Sequence, residues 1–477
     1  MDIFKIITGK NYINGEWLTS IKQIPVINPS TLKEIGSVPN LALSEINNAI
    51  DNTIKNFNRW SESSFEQRIS ILRKWHSLIL ENIEELSYIL TLEQGKILKE
   101  SKNEILYGAS FIEWYASVIY NIHGTTRAGK YKGHNIITEY EPVGPVACIT
   151  PWNFPNAMIT RKVIPAIAAG CSVILKPSSL TPFSALVLAK LGSDAGLPSG
   201  VFNIITGDAD IIGKAFCEDF RIRKLSFTGS TNVGKILYQN SASTVKRLSL
   251  ELGGNAPFIM FADTDLDQTA NSLVIAKTRN SGQSCTAPNR IFIDEKIYEG
   301  FIEIFTAKFA KLKVGDGLNE QSDIGPLINK AAVDKIQHLL KDAQAKGAKL
   351  LCGGKAEGNF LEPTVIVDCT DDMDIFKTEI FGPVVACYKF RTETEVIERA
   401  NNTEYGLQCY IYTKNLVTVQ RITYQLDFGM ISVNDPLPAN AKAPFAGRKA
   451  SGFGVEGSFE GIFEYLNTKY INLQVVR

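Results

Sequence analysis

The sequence has little of what marks membrane, secreted or nucleic-acid-binding proteins. Its 50 basic and 50 acidic residues give a formal net charge of zero. No block of like charge is longer than a few residues, which argues against nucleic acid or an anionic membrane as the main partner. No stretch approaches the ~20 apolar residues that span a bilayer, and residues 1–10 lack the apolar centre of a signal peptide. A cytoplasmic protein is therefore expected.

Cysteine and histidine are both scarce. The eight cysteines are scattered without a C-x-x-C pair, and several lie in apolar runs, where a thiol behaves as a small hydrophobic group. This pattern predicts reduced thiols and no metal site. With four histidines in the whole chain, a mechanism that needs an imidazole base has few candidates.

The length of 477 residues predicts two or three domains. Helical periodicity over 41–121 is followed by near-continuous apolar runs, typical of strands buried on both faces of a parallel sheet, at 146–150, 171–176, 201–205 and 224–227. A second such series begins after residue 256. We expect an α/β fold with two doubly wound domains, the first formed by 1–122 and 145–253 and the second by 254–435.

Two further segments are expected to stand apart from these domains. Residues 123–144 are polar, alternating and punctuated by glycine, as in a β-hairpin, and 460–477 contain a late, isolated strand. Exposed strand edges need covering, and pairing between subunits would cover them. We therefore assign both segments to an oligomerisation element and expect a homodimer or homotetramer.

The strongest candidate for chemistry is Cys285, in the stretch NSGQSCTAPNR (280–290). It follows small, flexible residues instead of lying in an apolar strand. A thiolate is the best side-chain nucleophile near neutral pH, and a modestly lowered pKa is enough to form it. The alternative is that one cysteine of eight falls in a loop by chance, and this stretch alone does not decide between the two.

Two polar residues stand at predicted strand ends. Glu251 of ELGGNAP meets a double glycine, and a raised pKa in an apolar strand end would suit a general base. Asn153 of ITPWNFP lies in a turn at the carboxyl end of a strand, where α/β sheets place ligands, and its amide can donate to an oxyanion. The alternatives are a glutamate that caps the next element and an ordinary turn asparagine.

Two other stretches suggest nucleotide binding. Lys176 in ILKPSSLTP ends another predicted strand beside Ser178 and Ser179, which suits a ribose or phosphate. The alternative is a solvated lysine. In EIFGPVV, Glu379 can accept hydrogen bonds from ribose hydroxyls, and Phe381 can cover a planar ring.

The stretch FTGSTNVGKI (227–236) nearly matches a P-loop, but Ile236 stands where a Mg²⁺-binding Ser or Thr is required. Together with the other motifs, in this order along the chain, it resembles the aldehyde dehydrogenase superfamily. The resemblance runs from YINGEW (12–17) through PWNFP, FTGSTNVG, ELGGNAP, GQSC and EIFGP to APFAGRKASGFG (443–454). It implies that 227–236 is a dinucleotide loop whose helix N-terminus faces a pyrophosphate, so the P-loop interpretation fails.

The resemblance also implies a mechanism. Cys285 attacks an aldehyde to form a thiohemiacetal, and Asn153 with the N–H of Cys285 stabilises the oxyanion. After hydride transfer to NAD or NADP, Glu251 activates the water that releases the acid. The first domain is then the NAD(P)-binding domain and the second the catalytic domain. The implied cofactor-binding residues are Thr150, Pro151, Trp152, Lys176, Ser178, Ser179, Gly207, Phe227, Thr228, Gly229, Ser230, Val233, Leu252, Glu379 and Phe381.

One position bears on the choice of cofactor. Three residues after Lys176, NAD-strict members of the family often carry a glutamate that repels a 2′-phosphate. Here that residue is Ser179, which leaves room for the phosphate. The sequence therefore predicts NADP as the cofactor, with NAD possible.

The stretches NAMITRK (156–162) and TRNSGQSC (278–285) resemble the succinate-semialdehyde dehydrogenase subgroup, in which two arginines bind the distal carboxylate. They correspond to Arg161 and Arg279, and Phe445 is expected to contact the substrate. The alternative is that both arginines form structural ion pairs. Where the subgroup usually has a serine, this chain has Ala439, so 2-oxoglutarate semialdehyde or a phosphono- or sulfo-aldehyde stays open as the substrate.

Other classes fit less well. A cysteine-dependent hydrolase or acyltransferase would need a nearby base, usually histidine, and no histidine lies in a motif. A non-catalytic protein would have no need of Cys285, Glu251 and Asn153 together. Some relatives have a second cysteine two residues after the nucleophile, but this chain has Ala287 there, so no redox-switch disulfide is expected.

Overall fold

The computed structural model describes residues 3–474. Within that range the strands are, in chain order, β1 (Asn11–Ile13), β2 (Glu16–Leu18), β3 (Gln23–Ile27), β4 (Glu34–Pro39), β5 (Thr125–Ala128), β6 (His134–Pro142), β7 (Val146–Ile149), β8 (Val173–Lys176), β9 (Phe202–Ile204), β10 (Lys224–Thr228), β11 (Arg247–Glu251), β12 (Ala256–Met260), β13 (Pro288–Asp294), β14 (Lys349–Cys352), β15 (Ala356–Glu357), β16 (Phe360–Leu361), β17 (Thr364–Val367), β18 (Val384–Phe390), β19 (Tyr405–Gly406), β20 (Gln408–Tyr412), β21 (Met430–Val433), β22 (Arg448–Lys449), β23 (Gly452–Phe453) and β24 (Leu466–Gln474).

The α-helices of the same range are α1 (Ile3–Ile7), α2 (Leu43–Ser61), α3 (Phe65–Glu81), α4 (Ile83–Gln94), α5 (Leu98–Val118), α6 (Ala157–Ala169), α7 (Phe183–Asp194), α8 (Ala209–Glu218), α9 (Thr231–Ser241), α10 (Leu266–Thr278), α11 (Tyr298–Phe309), α12 (Lys330–Ala345), α13 (Asp374–Lys377), α14 (Glu393–Asn401) and α15 (Leu416–Thr423).

The first large sheet has eight strands in the order β2-β1-β9-β8-β7-β10-β11-β23. Its central five strands are parallel. Strands β7 to β10 are buried along their whole length, because apolar clusters with helices lie on both faces. All four strands predicted from apolar runs are present, and their carboxyl ends meet at one edge of the sheet.

The second large sheet has seven strands in the order β14-β17-β18-β13-β12-β20-β21. All but β14 run parallel, and the second series of strands that is expected after residue 256 includes β12, β13, β18, β20 and β21. The expected pair of doubly wound α/β units is therefore observed. Strand β23, beyond the predicted second domain, returns to pair with β11 in the first sheet.

A third sheet of three antiparallel strands has the order β24-β6-β5. The sequence suggested that the late strand is isolated, and this is wrong. β24 pairs with β6 over its full length, from Leu466 opposite Pro142 to Gln474 opposite His134, because the long hairpin strand offers a matching edge. β5 and most of β24 remain exposed.

Helices α2 to α5 precede the parallel strands of the first sheet in sequence, and they pack against that sheet in the fold. Helix α5 packs against α6, and α6 is buried at every residue. This complete burial brings two charged residues, Arg161 and Lys162, into the protein interior. No helix within residues 3–474 is long and apolar enough to cross a membrane.

Candidate active site

Cys285 lies in a tight loop between α10 and β13. From Asn280 to Arg290 every residue is buried except Cys285, which is partly exposed. Two glycines make this loop fit: a Cβ on Gly254 would lie 2.2 Å from the Cys285 carbonyl oxygen, and one on Gly282 would lie 2.2 Å from the Gly382 carbonyl oxygen. The backbone around the sulfur is therefore packed too closely for any other residue at these positions.

The thiol of Cys285 differs from the expectation of a lowered pKa. Burial raises the pKa of Cys285 to about 12, an effect that Arg161 opposes and that the carboxylates of Glu379 and Glu251 increase. The sequence places the cysteine in a flexible loop, but the fold removes that loop from water, which disfavours the thiolate. Burial of the loop therefore disfavours the Cys285 thiolate in the ligand-free protein.

Asn153 lies in the turn between β7 and α6, next to the cysteine loop. Its side-chain amide donates to the Gln283 carbonyl oxygen at 3.1 Å, and its own Oδ1 is buried without a partner among the described residues. Asn153 therefore contacts the loop that carries the predicted nucleophile, two residues before Cys285.

Glu251 ends β11 and is buried, with both carboxyl oxygens lacking a hydrogen-bond partner among the described residues. Burial raises the pKa of Glu251 well above its usual value, and the charge of Glu456 raises it further, while Arg161 and Lys162 act in the opposite direction. Burial in the folded protein thus acts on Glu251 in the direction that the sequence predicts.

Arg161 forms a buried ion pair. Its Nε contacts the carboxylate of Glu456, which also pairs with Lys162. The guanidinium lies over the Phe445 ring, 4.1 Å from its centre. Burial alone would raise the pKa of Glu456, but the charges of Arg161 and Lys162 hold this pKa below its usual value. The alternative of a structural ion pair thus describes what Arg161 does in this structure.

Arg279 is placed differently. Its guanidinium lies 4.9 Å from the centre of the Phe154 ring and 5.9 Å from that of Tyr107. No carboxylate within residues 3–474 lies in ion-pairing distance of it. It lines a cavity of about 1020 Å³ together with Phe154, Tyr107 and Ala439. The Glu100 carboxylate lines the same cavity and interacts electrostatically with Arg279. Arg279 is therefore a partly buried cation that has no ion pair among the described residues and lines an open cavity.

The predicted dinucleotide loop lies at the adjacent edge of the first sheet. Ser230 caps α9 by accepting from Val233 N–H at 3.4 Å, and Gly229 N–H donates to the Glu251 carbonyl at 3.0 Å. A Cβ on Gly229 would lie 2.4 Å from the Phe227 ring. Lys235 is exposed and 4.0 Å from Glu404, as expected for a surface helix lysine.

The residues at this edge fit a dinucleotide. Thr150 and Thr228, at the ends of β7 and β10, each bury a hydroxyl that has no partner among the described residues. Lys176 is buried and donates to Pro177 O at 3.3 Å, and burial lowers the pKa of Lys176 to about 8 against the opposing charge of Asp208. Such groups need hydroxyl or phosphate partners that the protein itself does not provide.

The remaining predicted cofactor residues include an aromatic pair and a buried carboxylate next to Gly253 and Gly254. Trp152 and Phe381 form an edge-to-face pair with ring centres 5.6 Å apart, and Glu379 accepts from Gly254 N–H at 2.9 Å. Burial raises the pKa of Glu379. Of the other predicted residues, Pro151, Ser178, Ser179 and Gly207 follow strands β7 to β9, Val233 lies in the first turn of α9, and Leu252 follows β11. Within residues 3–474, no cluster of three His, Cys, Asp or Glu side chains could hold a metal.

Several buried charges of the site were not identified from the sequence. Glu456 forms ion pairs with both Arg161 and Lys162. Lys96 pairs with Glu104 next to the Asn153 turn. Glu456 and Lys96 are far in sequence from the residues they contact. The one sequence signal for such a buried charge is a charged residue within an otherwise apolar helix, as in α6.

The comparisons with known proteins agree with this arrangement. Residues 17–471 match the model of the aldehyde dehydrogenase family. The chain belongs to the aldehyde dehydrogenase family. It is 46% identical over 467 residues to the glutarate-semialdehyde dehydrogenase of Pseudomonas putida, with 97% of each chain covered. It is 45% identical to the NADP⁺ succinate-semialdehyde dehydrogenase of Escherichia coli, with 96% of each covered.

Solved structures show the same fold. The crystal structure of succinate-semialdehyde dehydrogenase from Burkholderia pseudomallei superposes with a TM-score of 0.97, at 44% identity and with 99% of each chain covered. The predicted family and fold class are confirmed. This aldehyde dehydrogenase is an NAD(P)-dependent oxidoreductase, as its family membership implies.

The raised pKa of Cys285 can be tested on the ligand-free enzyme. The rate of its alkylation by iodoacetamide should rise roughly tenfold per pH unit from about pH 7 to about pH 10, because only the thiolate reacts. No plateau is expected in this range, since burial raises the pKa of Cys285 to about 12. Labelling of a Cys285→Ser variant gives the background from the other cysteines. A plateau near pH 8 would contradict the buried-thiol picture.

Proposed function

We propose that this aldehyde dehydrogenase oxidises an aldehyde that carries a second, anionic group, with succinate semialdehyde as the substrate. The observation that carries this proposal is the Arg279 guanidinium, which lines a cavity and has no carboxylate in ion-pairing distance among the described residues. A guanidinium binds a carboxylate through two parallel hydrogen bonds. The names of the relatives, glutarate- and succinate-semialdehyde dehydrogenase, point to the same substrate class.

In the proposed reaction Cys285 is the nucleophile. The Cys285 thiol passes its proton to the Glu251 carboxylate, its sulfur bonds to the aldehyde carbon, and the π electrons of the carbonyl move onto the oxygen, which becomes an oxyanion. The Asn153 side chain and the Cys285 N–H stabilise that charge, and losing one such donor typically costs ~10²–10³ in rate. The contact between Asn153 and the cysteine loop supports this pairing. Nicotinamide, when bound, supplies the acceptor for the hydride that leaves the thiohemiacetal carbon, and Cys285 then holds a thioester.

Glu251 is the proposed base of the second half-reaction. After the first proton has passed to solvent, its carboxylate takes a proton from the water that attacks the thioester. The C–S bond then breaks, which releases the acid and restores Cys285. Burial raises the pKa of Glu251, which brings it nearer the pH at which a general base works best. Its oxygens have no other hydrogen-bond partner among the described residues, so they are available to water.

The proposed cofactor is NADP, with NAD possible. Lys176 and Ser179 lie at the end of β8, where the adenine ribose of a bound dinucleotide would be held. The buried Lys176 ammonium is suited to a ribose hydroxyl or 2′-phosphate, and Ser179 carries no charge that would repel it. Glu379 and Phe381 would hold the nicotinamide ribose and ring at the other end of the cleft.

The two arginines are proposed to act unequally. Arg161 is already neutralised in part by Glu456, a carboxylate that it shares with Lys162. Arg279 has no ion-pair partner in the part of the chain that the structure describes, and it lines the cavity. We therefore assign the substrate carboxylate mainly to Arg279, while Arg161 and Phe445 shape the pocket around the aldehyde. Another anionic aldehyde with a carboxylate, phosphonate or sulfonate remains the alternative, since Ala439 of the cavity wall offers no hydroxyl.

We also propose that the protein is a cytoplasmic homo-oligomer, as the sequence suggests. The exposed outer strands β5 and β24 of the third sheet support a homodimer or homotetramer in which another subunit covers them. All eight cysteines are free, which supports a reducing, cytoplasmic location.

The substrate class is tested by steady-state oxidation of several aldehydes with NADP⁺, followed by absorbance of the reduced cofactor. Succinate semialdehyde should have a KM at least ~10-fold below that of propanal, because a charge-assisted hydrogen bond contributes ~1.5–3 kcal/mol. Cys285→Ala should abolish turnover of both. Equal KM values for charged and uncharged aldehydes would disprove the acidic-substrate proposal.

The unequal roles of the arginines predict different kinetic defects. Arg279→Met should raise the KM for succinate semialdehyde by ~10–100-fold and leave that for propanal nearly unchanged. Arg161→Met leaves the Glu456 pair incomplete, so it should lower the melting temperature and kcat for both substrates. The assignment is wrong if Arg161→Met shows the larger selective effect on the KM of the acidic aldehyde.

Cofactor preference is tested at Ser179. Ser179→Glu adds a negative charge beside the proposed 2′-phosphate site, so the Kd for NADP⁺ should rise by ~10-fold or more, with a much smaller rise for NAD⁺. Fluorescence titration with both cofactors measures this, and Ser179→Gln is the uncharged control. An equal weakening of both cofactors would contradict the assignment.

A further inference from the structure

The carbonyl oxygen of Asn153 accepts hydrogen bonds from two buried side chains outside the proposed catalytic set. Lys96 Nζ and Asn280 Nδ2 each lie 2.8 Å from it. Lys96 belongs to the connection between α4 and α5, and Asn280 to the turn before Cys285. One carbonyl therefore joins three segments of the chain at the residue whose side chain is the proposed oxyanion donor.

Glu104 of α5 completes this contact. Its Oε2 lies 2.6 Å from Lys96 Nζ, and the two side chains are only 1% and 0% exposed. Its Oε1 accepts from the N–H groups of Asn156 and Ala157, at 2.8 and 3.2 Å. These are the first N–H groups of α6, where a negative charge is favourable. The Lys96–Glu104 pair thus holds both ends of the turn from 153 to 156.

Glu100, one turn earlier on α5, holds the neighbouring turn. Its two oxygens accept from Asn280 N–H at 3.1 and 2.9 Å. Asn280 and Ser281 have φ values of +51° and +55°, a left-handed conformation that is unfavourable for residues with a Cβ. Such a turn persists only where its surroundings hold it. One face of α5 therefore supports both the oxyanion turn and the nucleophile turn.

Stability alone does not account for the buried pair. Replacing a buried ion pair by apolar groups of similar volume is often neutral or stabilising, whereas removing one partner leaves an unpaired buried charge. The contacts of Lys96 and Glu104 go to backbone atoms of the turn that carries Asn153. Orientation of that peptide sets the direction of the Asn153 side chain.

We propose that Lys96 and Glu104 are positioning residues that hold the Asn153 turn, and through Asn280 the Cys285 turn, in the geometry that oxyanion stabilisation requires. This inference rests on the proposed function, because it takes Asn153 as the oxyanion donor. A displacement of about 1 Å at a reacting centre can lower a rate ~10²-fold. The defect should therefore lie in kcat and spare cofactor binding.

The test compares Lys96→Met, Glu104→Gln and the double variant. Each single variant leaves a buried charge or polar group without its partner, so both should lower the melting temperature. The double variant removes both charges and should recover most of the lost melting temperature. Its kcat should nevertheless remain ~10²-fold below wild type, with an unchanged Kd for NADP⁺. A double variant with wild-type kcat would overturn the proposal.

A second pair of measurements separates positioning from general damage to the site. Acylation by p-nitrophenyl acetate transfers an acetyl group to the Cys285 sulfur, releases p-nitrophenolate and passes through an oxyanion, whereas alkylation by iodoacetamide does not. The double variant should slow the acylation burst by ~10²-fold and leave the alkylation rate within about twofold. Equal losses in both rates would mean that the variant merely disturbs the thiol, and would refute the proposal.

Lys389→Met is the matched control, because Lys389 pairs with Glu299 on the exposed surface and neither residue lines the cavity beside Arg279. It should leave both rates and kcat unchanged.

If the double variant does not fold, Asn280→Gly removes the other donor to the Asn153 carbonyl and tolerates the positive φ. Its acylation burst should also fall ~10-fold or more, and an unchanged burst would overturn the proposal. Should wild type fail to oxidise acidic aldehydes, only the proposed substrate falls, since the acylation burst still reports on the Asn153 turn.

Discussion

The active-site cleft keeps its ionisable groups out of water, and the balance of charge among them governs its chemistry. Burial raises the pKa of both Cys285 and Glu251, so each is stable in its neutral form. Beside them, Arg161 and Lys162 share the one carboxylate of Glu456. Arg161 opposes the rise in both pKa values, and Lys162 opposes that of Glu251, so these cations favour the thiolate and the carboxylate when the reaction needs them. A proton passed from the thiol to Glu251 would leave the total charge of the cleft unchanged.

The same requirement explains why the cleft is built from several distant parts of the chain. A buried charge must be paired or hydrogen-bonded, and the partners here come from α5, α6, the loop before Cys285 and the segment near Glu456. The first sheet brings the strand ends together, and the second sheet carries the cysteine loop against them. Gly254 allows the two to approach closely, because a Cβ there would lie 2.2 Å from the Cys285 carbonyl oxygen.

Much of this arrangement was predicted from the sequence because its signals are local. Buried parallel strands are continuous apolar runs, and polar residues at their ends, such as Glu251 and Lys176, stand out against them. The expected isolation of the last strand was wrong, because pairing between β24 and β6 joins segments more than 300 residues apart. A lowered pKa for Cys285 was also wrong, since loop composition says nothing about how deeply the fold buries the loop.

The sequence by itself determined the family, the two α/β units and the identity of the residues that meet at the strand ends, because motif order and apolar periodicity are properties of the chain alone. Only the tertiary structure decided the state of those residues. That Arg161 is paired and Arg279 is not, and that Lys96 and Glu104 lie beneath Asn153, depends on contacts between segments distant in sequence. The free energy of a charge depends on its distance from water and from other charges, and those distances exist only after folding.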